Sequence, residues 1–231
     1  PGMPGKLTIV ATPIGNLDDL SPRARGALSE ADLVACEDTR HTGRMLARLG
    51  IEARLISLHE HNERQRVPHL LEQLDSGLQV ALVSDAGTPL LSDPGFVLVR
   101  EAAAKAIPVE HVPGASAILA ALVVSALPPY PFSFLGFPPP RQGKRRRFFA
   151  RFSDLEHTLV FFESPHRIVA SLEDAQETWG DRPAAVGREL TKLHEETLRG
   201  RISEIHADLA TRPSIKGEFT AVIGPPTRPE G

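Results

Sequence analysis

Short, mostly apolar runs punctuate the first half of the chain at Leu7 to Ala11, Leu33 to Cys36, Leu55 to Leu58 and Val80 to Val83, and Val109 to Val112 follows as a short segment whose valines flank Glu110 and His111. Each is too short for a helix and is bounded by polar or turn-forming residues, so each reads as a strand buried in a sheet. The stretches between them, Pro22 to Ala31, Thr42 to Leu49, Arg64 to Leu74 and Phe96 to Ala106, carry helical spacing. Strand and helix in alternation predict a parallel sheet covered on both faces. The punctuation agrees. Gly50 and Gly77 follow helix ends, and Ser21-Pro22, Asp93-Pro94 and Ser164-Pro165 each join a capping residue to a proline, whose missing N–H is harmless in a first helical turn.

The second half has another rhythm. After the small-residue helix "ASAILAALVVSAL", the segment "PPYPFSFLGFPPP" packs prolines around a short aromatic strand, which puts a boundary near Ala126 to Pro131. Leu159 to Phe162 follows as a strand and Pro165 to Trp179 as a helix; Ala185 to Leu190 and Glu195 to Leu198 are strands, Ile202 to Leu209 a helix, and Glu218 to Ile223 the last strand. Strands that follow one another without a helix between them predict a mixed sheet. The organisation expected is an N-terminal α/β domain over residues 6–126, a C-terminal mixed α/β domain over 131–224, and flexible tails at 1–5 and 225–231.

The connection from Ser84 to Gly95, "SDAGTPLLSDPG", is longer than packing requires. It is one of five polar segments that leave the carboxyl ends of the predicted strands, with "ATPIGNLDD", "EDTRHT", "SLHEHNE" and "PGASA". In open α/β sheets that edge binds ligands. None of the five is a familiar phosphate loop, because "TPIGN" lacks the G-x-G-x-x-G spacing and "PGASA" lacks a Lys-Ser/Thr pair. No G-x-S-x-G elbow is present to make a serine hydrolase. His59 and His61 have no third ligand at useful spacing, so no metal site is expected. Glu37 and Asp38 stand immediately past a strand; helix capping by Asp38 with a pair to Arg40 is their structural alternative.

Composition removes further classes. A formal net charge of −3 means that any nucleic-acid contact must come from a local patch. The single cysteine, Cys36, excludes an intramolecular disulfide framework and reads as a small buried hydrophobe. The opening "PGMPG" has no apolar core behind it and no apolar stretch approaches membrane length, so a cytoplasmic protein is expected.

Seven segments then carry a resemblance: "VATPIGNLDDLSPRA", "EDTRHT", "SDAGTPLLSDPG", "PGASAILAAL", "FFESPHRIVASLED", "GRELTKLHEE" and "KGEFTAVI". In order and spacing they resemble the ribosomal RNA small subunit methyltransferase I family, a branch of the tetrapyrrole methylase superfamily, from Leu7 to Gly224. The resemblance implies an enzyme dependent on S-adenosyl-L-methionine that methylates the ribose 2′-hydroxyl of a cytidine in the decoding region of small-subunit (16S) rRNA. It also implies a tetrapyrrole methylase-like fold with the cofactor in a cleft between two α/β domains, and a homodimer. Carried over by position, the cofactor contacts are Pro13, Asp85, Ala86, Gly87, Thr88, Pro89, Ser116, Ala117, Phe162 and Glu163. Tetrapyrrole methylases commonly have a glycine-rich first loop where this chain has "ATPIGNLDD", which argues against a tetrapyrrole substrate.

Methyl transfer from a sulfonium needs no metal but does need the acceptor oxygen held in line. A ribose hydroxyl is a weak nucleophile and calls for a proton acceptor. By loop position Asp38 is the first choice, with Glu37 and Glu189 behind it, and Lys192 or Lys216 placed to stabilise charge on the oxygen. The substrate, rRNA or the assembled small subunit, needs cations. "RQGKRRRFFARF" concentrates Arg141, Lys144, Arg145, Arg146, Arg147 and Arg151, with Phe148, Phe149 and Phe152 as the anchoring face. Arg40, Arg44, His166 and Arg167 are candidates nearer the cofactor, although Arg167 fits equally as a structural partner of Glu163. Two other functions use the same features: a small-molecule methylase of the tetrapyrrole type, for which the cationic run has little use, and a noncatalytic RNA-binding module, which need not bind S-adenosylmethionine.

Overall fold

The computed structural model describes residues 4–92 and 94–227. They form two compact units that meet in sequence between Ser116 and Ala117. The proposed tails fall partly on residues 1–3 and 228–231, outside the described residues.

The first unit runs β1 (Lys6–Val10), α1 (Pro22–Glu30), β2 (Leu33–Cys36), α2 (Thr39–Arg48), β3 (Leu55–Ser57), α3 (Glu63–Asp75), β4 (Gln79–Leu82), α4 (Phe96–Ala104) and β5 (Val109–Val112). Its strands are all parallel, in the order β3-β2-β4-β1-β5. Alternate strand residues serve opposite faces, as a pleat requires. Leu7, Ile9, Leu33, Ala35, Val80 and Leu82 pack with Leu70, Leu74, Leu98 and Ala102 of α3 and α4. Val10, Val34, Cys36 and Ala81 pack with Ala24, Leu28, Met45 and Leu46 of α1 and α2. Cys36 is fully buried, and burial pushes its thiol up. Ser21 caps α1, its Oγ accepting from Ala24 N at 3.0 Å. The expected start at Asp93-Pro94 falls on Asp93, outside the described residues; α4 begins at Phe96 with Gly95 as its N-cap residue.

The second unit comprises α5 (Ala117–Val124), β6 (Phe132–Phe134), α6 (Gln142–Ala150), β7 (Thr158–Glu163), α7 (Ile168–Trp179), β8 (Pro183–Arg188), β9 (Glu196–Arg201), α8 (Ile202–Thr211) and β10 (Phe219–Ile223). The sheet is mixed, in the order β6-β7-β10-β8-β9, with only β6 and β7 parallel. Its core centres on Phe149, whose ring lies 4.5 Å from Trp179 and 5.4 Å from Phe161. Two sequence expectations change here. Helix α5 packs on β7, β8 and β10, so it belongs to the second unit and the division comes before it, not near Ala126 to Pro131. Ser164 does not cap a helix through its side chain: Ser164 Oγ has no partner among the described residues, its carbonyl accepts from Arg167 N and Ile168 N, and α7 starts only at Ile168.

Candidate active site at the carboxyl edge of the first sheet

The strand order makes a switch point. From β1 the chain leaves through α1 to β2, while from β4 it leaves through α4 to β5, and the two helices cover opposite faces. The loops after the adjacent strands β1 and β4 therefore diverge, and such a divergence is where open α/β sheets bind ligands. Here the loops are latched together. Thr12 and Gly87 exchange both backbone hydrogen bonds at 3.0 Å. Thr88 Oγ1 donates to Ala115 O at 3.0 Å, and Ser84 Oγ to Ala86 O at 3.0 Å. The β2 loop is tied in by Asp38 N, which donates to Asp85 Oδ1 at 3.3 Å, and by His41 Nε2, 2.8 Å from Asp85 O.

Two features show that this edge can receive a group with polar atoms. Thr12 Oγ1 is buried with no partner among the described residues, which costs free energy unless a ligand supplies one. Gly87 holds φ at +78°, and a Cβ there would stand 3.1 Å from Ile14 Cγ2; only glycine lets the backbone approach so closely. Of the expected cofactor contacts, Pro13, Gly87 and Pro89 are buried, Asp85 and Thr88 half-buried and Ala86 exposed on these loops. Ser116 ends the β5 loop, and Ala117 opens α5 in the second unit.

The carboxylates are not equivalent. Asp38 is the N-cap of α2: its Oδ1 accepts from Arg40 N at 2.9 Å and His41 N at 3.2 Å, and these bonds hold its carboxyl below the usual range. The expected pair to Arg40 is thus a contact with its main chain, and these capping bonds weigh against Asp38 as the proton acceptor. Glu37 is half-buried; burial first, and then the Asp85 charge, push its carboxyl up. His41 was not foreseen as part of the site, although its place one turn after Asp38 was a usable signal.

In the second unit the structure reassigns several residues. Glu163 is buried and accepts from Ser164 N at 2.9 Å and Arg167 Nε at 3.3 Å, with Ser171 Oγ also donating to it. Its carboxyl is spent on the start of α7, so it is no free ligand for a cofactor, and Arg167 is its structural partner. Phe162 meets Phe134 and Phe137 edge-on at 4.9 and 5.5 Å. Glu189 accepts from Glu218 N at 2.9 Å, and Lys192 lies 3.3 Å from Glu218 Oε2, so both brace the turn after β8. Lys216 is exposed, and its carbonyl accepts from Arg188 Nη1 at 3.2 Å.

The cationic run divides in two. Arg145 is only 3% exposed; its Nε donates to Asp174 Oδ2 at 2.7 Å and its Nη1 to Pro140 O at 3.0 Å. Arg146 Nε takes the other oxygen, Asp174 Oδ1, at 2.7 Å. Arg145 is therefore a buried structural charge rather than a phosphate contact, and Arg146 is held by the same carboxylate. Asp174 gave no sign of this role in the sequence. The exposed cations are Arg141, Lys144, Arg147 and Arg151; Lys144 and Arg147 lie one turn apart on α6, and Arg151, its C-cap residue, continues that face. Arg40 and Arg44 are exposed one turn apart on α2, and His166 is exposed before α7.

The sequence matches the Tetrapyrrole (Corrin/Porphyrin) Methylases over residues 6–206. Solved structures share the fold: the methyltransferase CobJ has a TM-score of 0.71 at 20% identity, covering 98% of this chain and 97% of that one. Uroporphyrin-III C-methyl transferase from Thermus thermophilus, complexed with S-adenyl homocysteine, has a TM-score of 0.67 at 20% identity, covering 94% and 97%. Fold and carboxyl-edge loops together define a tetrapyrrole methylase-type protein. Nearer relatives are each named Ribosomal RNA small subunit methyltransferase I. That of Micromonospora olivasterospora is 48% identical over 219 residues, 95% of this chain and 70% of the relative. That of Thermotoga maritima is 44% identical over 219 residues, 95% of this chain and 98% of the relative. The chain belongs to the ribosomal RNA small subunit methyltransferase I family, within the tetrapyrrole methylases.

Proposed function

We propose that this chain transfers the methyl group of S-adenosylmethionine to the ribose 2′-hydroxyl of a cytidine in the decoding region of small-subunit rRNA. Family membership supports the methyl donor and the rRNA substrate. The observation that carries the chemistry is Glu37, a half-buried carboxyl with a raised pKa beside the latched loops of β1, β2 and β4. When bound, S-adenosylmethionine supplies an electrophilic methyl on a sulfonium. The main chain of Asp85 to Pro89, Thr12 Oγ1 and Pro13 would hold that donor, and Glu37 would take the proton of the hydroxyl. We also take the enzyme to be a cytoplasmic homodimer; Val123 at 73% and Tyr130 at 82% exposure in the second unit supply apolar surface for a second copy. No helix among the described residues is long and apolar enough to cross a membrane.

The test is transfer of labelled methyl from S-adenosylmethionine to small subunits from cells lacking the enzyme, followed by alkaline hydrolysis. A 2′-O-methyl blocks cleavage at its own phosphodiester, so the label should appear in an alkali-resistant dinucleotide beginning with cytidine. Label in a base, or none in the RNA, refutes the assignment.

The exposed ridge of α6 would grip phosphates. Replacing Lys144, Arg147 and Arg151 together by alanine is expected to weaken RNA binding and to reduce the salt slope by about two, at about 0.7 per single-strand phosphate contact. An unchanged slope removes α6 from the interface.

A further inference from the structure

Helix α4 opens on an aromatic ring left in water. Phe96 is 61% exposed and Leu91, on the loop leading into the helix, 43%. Among the described residues of the first unit these are the large hydrophobics left exposed. Leu91 lies on the connection that carries Asp85 to Pro89, and Phe96 opens the helix that follows it, at the carboxyl edge of the sheet.

The backbone of this connection is strained. Leu90 and Ser92 hold φ at +77° and +78°, where non-glycine residues are disfavoured. Leu90 turns inward, close enough that a Cβ on Gly95 would stand 2.9 Å from its Cδ2, while Leu91 faces water. Strain of this kind persists where surrounding structure enforces it, commonly at ligand clamps. One turn along α4 the Arg100 guanidinium lies 5.7 Å from the centroid of the Phe96 ring, and its Nη2 is held by Glu101 Oε1 at 3.0 Å.

We propose that Phe96 and Arg100 form a stacking platform for a nucleobase of the substrate RNA close to the modified ribose. This rests on the rRNA reading above and names the group that the first unit would present to the RNA. Single-stranded RNA is recognised by splaying bases onto aromatic faces and guanidinium planes, and this pair offers both. A second copy of the chain is the other possible occupant. Two side chains fall far short of the roughly 800 Å² per partner that a stable protein interface buries, whereas a single base is of their size.

The chain has one tryptophan, Trp179, which is buried, so F96W adds an indole that reports on this surface alone. Titrating full-length F96W with unmodified small-subunit rRNA, in the presence of S-adenosylhomocysteine, should quench its emission. F96A should raise the KM for small subunits on the order of tenfold or more, through lost stacking, with the Kd for S-adenosylmethionine unaltered by calorimetry. Emission that ignores RNA, emission that changes with protein concentration alone, or a KM unmoved by F96A would each overturn the proposal. The fluorescence reading needs no turnover. Quenching in a chain whose parent fails to methylate cytidine would therefore leave the platform standing and count against the reaction only.

Discussion

Glu37→Gln is expected to lower kcat for methyl transfer by about 10²- to 10⁴-fold, the usual worth of a positioned proton acceptor, while S-adenosylmethionine binds as before. The carboxyl is neutral below its raised pKa and can accept a proton only above it. Wild-type kcat should accordingly climb with pH through that raised value and level off, and the climb should vanish in the variant. Stability gives an independent sign. A carboxyl that holds its proton more tightly folded than unfolded favours the fold at low pH and loses that contribution as pH rises through the folded pKa. Ionised Glu37 thus works against folding at neutral pH, and removing the charge should leave Tm equal or slightly higher. Asp38→Ala should behave differently, because Asp38 carries the side-chain cap of α2 and its loss is felt chiefly as a lower Tm, whereas Asp38→Asn keeps an oxygen that can cap the helix. Equal kcat in Glu37→Gln and wild type would remove Glu37 from the chemistry.

Asp174→Ala is expected to destabilise the second unit by about 3–5 kcal/mol, as removal of one partner from a buried ion pair does. The carboxylate is fully buried and receives Arg145 and Arg146 on its two oxygens at 2.7 Å. Without it the Arg145 charge stays in the interior between α6 and α7, with the Pro140 carbonyl as its remaining hydrogen-bond partner among the described residues. Arg146→Ala should cost far less, since the Arg146 side chain is 41% exposed and its loss leaves Arg145 paired. Thermal unfolding followed by circular dichroism reads both. A Tm of Asp174→Ala close to wild type would show that the pair does not hold these helices together.

Much of the architecture was legible because central strands such as β2 (LVAC) and β10 (FTAVI) are buried on both faces and so appear as apolar runs. Leu33–Cys36 and Val109–Val112 match their expected bounds, and most other strand and helix ends differ by a few residues. The polar connections at the carboxyl edge were legible too, because loops that turn away from a sheet are built of small and polar residues. Helix α5 was not. "AILAALVV" is apolar all round, so nothing in its periodicity says which sheet it covers. The choice between Glu37 and Asp38 turns on which side chain points back at the first turn of α2, a matter of dihedral angle rather than residue type. Arg145 and Arg146 looked interchangeable with Lys144 and Arg147. What separates them is a carboxylate 28 or 29 residues further on, whose helix position resembles any solvated one.

Hydrogen exchange with and without S-adenosylhomocysteine tests the placement of the methyl donor most directly. Saturating ligand should slow exchange in the loops after β1, β4 and β5, namely residues 11–16, 84–92 and 113–116, around the Thr12–Gly87 bridge. Protection confined to other segments, or none at saturation, would contradict a reaction centred on the carboxyl edge of the first sheet.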